Sequence, residues 1–138
     1  MFPESLRADG LGRVALGAAI AGLGTCALGG YGWWSVRGNA PRLDALAGGL
    51  IAILILIAIG ATAGLVSGRF RDGPAPWAGA VIGWWLAYQI NYTIFPGWPT
   101  SDSAFAVDIL LAALFLLPLI GGGHMLGAVV AKRSLRRR

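Results

Sequence analysis

Three small groups of side chains in this 138-residue sequence can carry chemistry, and each lies inside or beside a long apolar run. The first is Tyr88, Gln89, Asn91 and Tyr92, followed further along the chain by Asp108. A carboxylate beside amides and phenols can bind a cation, a proton or a polar ligand. The same residues serve equally well as hydrogen bonds between helices near a headgroup layer, with Asp108 placed favourably near a helix N-terminus. The second is His124, set in Gly121-Gly122-Gly123-His124-Met125-Leu126-Gly127. Small neighbours let an imidazole lie flat against a backbone, the arrangement of an axial ligand to a tetrapyrrole. A six-coordinate haem needs two axial residues, and this is the sole histidine, so a partner chain would have to supply the other. The alternative is a histidine bonded to a neighbouring helix. The third is Trp84-Trp85, suited to a lipid, a quinone, a partner subunit or plain space filling.

Other chemistry lacks its residues. His124 and Asp108 stand 16 positions apart, about 24 Å along a helix, too far for a Ser/His/Asp set. No metal-ligand cluster and no phosphate loop of the Gly-x4-Gly-Lys type occurs. Cys26 is the one cysteine, so no intramolecular disulfide forms and its expected place is a buried apolar one. The expectation is a non-enzyme with no catalytic residues and no metal site.

The elements that hold these groups follow from composition. The chain is 57% hydrophobic and only 12% charged, about half the charged share of an ordinary soluble domain. It cannot supply the polar surface of a water-soluble fold. Four stretches approach the roughly 20 residues that cross a bilayer: about 14–34, 45–66, 77–95 and 105–131. The expected fold is an all-α integral membrane protein, a four-transmembrane-helix bundle forming a single domain. Thr25 before Cys26 is a poor match to a lipoprotein cleavage site, so the first stretch counts as a helix.

Charge orients the bundle. Arg7, Arg13, Arg69, Arg71 and the five cations of the 132–138 tail fall on one side, and Arg37 and Arg42 on the other. The positive-inside rule then predicts N-in and C-in, with both termini cytoplasmic in a plasma (inner) membrane. The basic tail follows an apolar helix and meets anionic headgroups, so no nucleic-acid partner is expected.

Small residues recur at four-residue spacing: Gly60, Gly64 and Gly68; Gly79 and Gly83; Gly123 and Gly127; and Ala18 and Gly22 in the first stretch. Helices in lipid associate through close backbone approach at such positions, so these are the expected helix-packing residues. Pro118 deprives the Leu114 carbonyl of its helical donor and predicts a kink. A shift of 64 residues brings Asp44 over Asp108, Leu50 over Leu114 and Arg69 over Arg133, which suggests two parallel helical hairpins.

Three functions follow as expectations. The leading one is a non-catalytic accessory or structural subunit, whose partners are membrane lipids and other membrane-protein subunits or itself. The second is a small oligomeric transporter or channel with an outward-facing polar site near Asp108. The third is a redox or pigment-complex subunit with His124 as a tetrapyrrole ligand.

Overall fold

The computed structural model describes the backbone of residues 4–36, 45–94 and 102–136, and the side chains of 10–32, 47–91 and 106–136. Four helices make up nearly all of it: α1 (Glu4–Val36), α2 (Ala45–Ser67), α3 (Pro74–Ile94) and α4 (Asp102–Arg136). Among the described residues there is no strand. Helices suit apolar runs because every backbone N–H and C=O is satisfied within the segment.

The punctuation between α2 and α3 is local. Gly68 adopts φ +64°, a left-handed conformation that costs glycine nothing, and its N–H donates to the Gly64 carbonyl at 2.9 Å to close α2. A short 3-10 turn, η1 (Phe70–Asp72), follows. Pro74 then opens α3, where a missing N–H costs no helical bond. Gly68 therefore differs from its expected packing role. Nothing lies within 4 Å of a Cβ built on it, and it acts as a helix terminator.

Three helices contain stretches long and apolar enough to cross a membrane: Gly10–Gly32, Ala47–Ser67 and Ala106–Arg136. Helix α3 is long enough, its 21 residues reaching about 32 Å. Its average hydropathy is lowered by Trp77, Trp84, Trp85, Tyr88, Gln89 and Asn91. Helices α1 and α4 are longer than the expected spans, at 33 and 35 residues. Helix α4 runs as one helix through Pro118. The indole N–H of Trp77 donates to the Ala113 carbonyl at 2.9 Å, bringing a donor from α3 to the carbonyl beside Leu114.

Packing does not follow chain order. Helix α1 lies mainly on α3, and α2 mainly on α4, while the consecutive α2 and α3 barely touch. Each main pair runs parallel, because its members are separated by one intervening antiparallel helix. Between α2 and α4 the approach is backbone to backbone. A Cβ built on Gly60 would land on the Ile120 carbonyl, and one on Gly64 on the His124 carbonyl. Reciprocally, a Cβ on Gly123 would land on the Ile57 carbonyl, and one on Gly127 on the Ala61 carbonyl. Gly60 and Gly123 are thus equivalent, as are Gly64 and Gly127, at a separation of 63 residues in both cases. That register differs by one position from the 64-residue shift of the sequence. One position is about 100° around a helix, enough to change which face is matched.

Between α1 and α3, Cβ atoms on Gly79 and Gly83 would land on the Ala18 and Gly22 carbonyls, whereas one on Gly22 stays 3.0 Å from the Gly79 carbonyl. Ala21, Leu56, Ala80, Leu116 and Ile120 form the buried core, with Trp77, Trp84 and Leu28 packed around it.

Candidate functional site

One cluster of described polar groups gathers where α2 ends, η1 turns and α4 passes. Gly64 has no side chain, so the backbone of α4 comes close enough at His124 for the ring to be fully enclosed, at 0% exposure. His124 Nε2 lies 2.9 Å from the Arg69 carbonyl oxygen, 55 residues away in sequence. A carbonyl only accepts, so Nε2 must carry the proton. In the neutral ring this leaves Nδ1 as a bare lone pair, and Nδ1 is buried with no hydrogen-bond partner. Gly73 borders the ring, since a Cβ there would stand 3.4 Å from His124 Cδ2.

The Arg69 carbonyl also accepts from the Asp72 N–H at 3.3 Å. Ser67 is buried, and its hydroxyl oxygen accepts from the Arg69 N–H at 3.4 Å. It also stands 3.4 Å from the Gly64 carbonyl and 3.5 Å from the Arg69 carbonyl, at the long end for donation. The imidazole therefore holds the α2–α3 connection against α4. Lys132 reinforces this from outside, its ammonium lying 4.1 Å above the centre of the Phe70 ring.

One imidazole lone pair can accept a proton or occupy one coordination position. It is not a metal centre by itself, and among the described residues no group of three His, Cys, Asp or Glu could hold a metal. Nor does the geometry suit an axial ligand to a tetrapyrrole. Nε2 is committed to Arg69, and the fully enclosed ring has no open side on which a flat macrocycle would lie.

The polar group in the C-terminal half of α3 is arranged differently from a converging site. Asn91 is buried, but its amide N–H donates to the Ala87 carbonyl of its own helix at 2.8 Å. Tyr88 and Gln89 are half-buried, and the side chain of Tyr92 lies outside the described residues. Asp108 is exposed on α4, and no described hydrogen bond or ion pair reaches it. Of the tryptophan pair, Trp84 is half-buried against Gly29 and the core, and Trp85 is exposed. Cys26 is a free, half-buried thiol.

Several contributors have no marker in the sequence. The Arg69 carbonyl is a backbone atom, invisible to residue type. Thr25 is wholly buried with its hydroxyl unpaired. Its one signal is a polar residue four positions from both Ala21 and Gly29, on the face that meets α3. Comparison with protein-family models, with curated proteins and with solved structures finds no match.

Proposed function

We propose that the chain is a four-span plasma-membrane protein with both termini cytoplasmic, acting as a non-catalytic accessory or structural subunit of a larger membrane assembly. The four-span part rests on how α3 distributes its polarity. Asn91 is buried and Tyr88 and Gln89 are half-buried, while Ile82, Trp85, Leu86 and Ile90 are exposed. An outward apolar face is what lipid requires, whatever the helix average. The cytoplasmic placement of both ends rests on the excess of cations there. The two-hairpin organisation is supported by the parallel α1·α3 and α2·α4 pairings.

The subunit reading is carried by one observation, the exposure of Asp108. A transport site inside one bundle needs its acidic group turned into that bundle. Asp108 is instead exposed on α4, as are Val107, Leu110 and Leu111 beside it. Among the described residues no hydrogen bond or ion pair engages it, and a neighbouring subunit with a donor or cation at that height would supply a partner. Gentle detergent extraction, a native gel and mass spectrometry of the band test this. The chain is expected to migrate with larger partners, and Asp108→Lys to release it. Migration solely as a homo-oligomer, in wild type and variant alike, would overturn the subunit reading.

A further inference from the structure

The end of the molecule below His124 is strongly cationic. Among the described residues it carries Arg13 on α1, Arg69 and Arg71 around η1, and Lys132, Arg133 and Arg136 on α4, all exposed. Among the residues whose side chains are described, the acid there is Asp72, 3.9 Å from the Arg71 guanidinium, while Glu4 and Asp9 belong to the same end of α1 with side chains outside the described residues. Three of these cations are organised around one rigid turn. Arg69 is fixed through its backbone by His124 and Ser67, and its guanidinium reaches α1, 3.9 Å from a Cβ built on Gly10. Lys132 is stacked on Phe70. Arg71 extends from the same turn, with its side chain 78% exposed.

We propose that this turn is a binding site for the phosphate of an anionic phospholipid, held between Arg69 and Lys132, with Phe70 at the boundary between headgroup and acyl chains. The inference rests on the membrane placement argued above and not on the subunit reading. Two features select a lipid over a free anion. Phe70 is 41% exposed beside the cations, so the site presents an apolar face and a charged one together. It also lies at the end of apolar helices, where a headgroup is already positioned and a soluble anion must be recruited. Arginine supplies a planar fork for phosphate oxygens, and lysine a point charge.

The test is native mass spectrometry of the full chain released from nanodiscs containing phosphatidylglycerol and phosphatidylcholine. Retention of phosphatidylglycerol over phosphatidylcholine is expected. Each basic residue near an anionic surface is worth about fivefold in affinity, so Arg69→Gln combined with Lys132→Gln should lower retention about 25-fold. Lys132→Arg should preserve it. Lys132→Gln alone should lower it about fivefold, and far-UV circular dichroism of this variant guards against misfolding. Equal retention of both lipids overturns the proposal, as does unchanged retention in Lys132→Gln. Displacement by excess inorganic phosphate would indicate a free-anion site and overturn the lipid assignment. Alkaline carbonate extraction separates the two levels. A chain released by carbonate refutes the membrane placement, while one that stays embedded without headgroup preference refutes this site alone.

Discussion

The two parallel helix pairs reach close contact by different means. In α2·α4 both helices contribute glycines, and each glycine faces a carbonyl of the other helix: Gly60 and Gly64 on one side, Gly123 and Gly127 on the other. In α1·α3 the closest approaches are at Gly79 and Gly83 of α3, and α1 answers with Ala18 and with Gly22, which keeps 3.0 Å of clearance. A reciprocal seam brings two backbones together along its length, and it encloses His124. A one-sided seam leaves room for side chains of moderate size, and it accommodates Thr25 and, next to Gly29, the Trp84 ring. The buried imidazole thus belongs to the seam whose glycines leave no slack.

The largest effect should come from filling the reciprocal seam. Gly64→Leu and Gly127→Leu each force α2 from α4, with an expected destabilisation above about 3 kcal/mol, at the severe end for overpacking. Thermal unfolding in detergent should show the two variants equally damaged. A large difference between them would contradict reciprocity.

Removing the imidazole comes next. His124→Ala deletes the bond to the Arg69 carbonyl and empties its niche, at an expected cost of about 2–3 kcal/mol. Hydrogen exchange should rise at residues 69–73. Unchanged protection there would remove His124 as the clamp on the connection.

The smallest effects separate the two sides of α1·α3. Gly83→Ala meets backbone directly and should cost about 1–3 kcal/mol. Gly22→Ala has a few tenths of an ångström to find and should cost less than about 1 kcal/mol, partly offset by the better helix propensity of alanine. Equal costs would make α1·α3 a second reciprocal seam.

The helices were readable because apolar runs are broken by Asn39-Ala40-Pro41, by Gly73-Pro74 and by Pro96-Gly97-Trp98-Pro99. Four-residue spacing also puts Gly60 and Gly64 on one helix face without structural knowledge. Which helix they meet was not readable, since apolar composition gives α1, α3 and α4 no distinguishing label. Gly68 shares the spacing, but it sits where the helix must stop, and there a left-handed conformation decides its role. Residue type groups Asp108 with Tyr88, Gln89, Asn91 and Tyr92 but leaves open which way each side chain points around its helix, and Asp108 is exposed while Asn91 is buried. His124 stood out as the sole histidine, yet its partner is a backbone carbonyl 55 residues away.

Helix α1 pairs with α3 out of chain order. Disulfide cross-linking in native membranes tests it, using a Cys26→Ser background so that no other thiol competes. A Cβ on Gly29 lies 3.0 Å from the Ala87 Cβ, slightly inside the roughly 3.5–4.5 Å of disulfides. Gly17 with Ala63, at 3.8 Å, is the benchmark for the α1–α2 hairpin. Gly29→Cys with Ala87→Cys should cross-link about as fast as Gly17→Cys with Ala63→Cys. Rapid cross-linking of the hairpin pair with none between positions 29 and 87 would contradict the pairing.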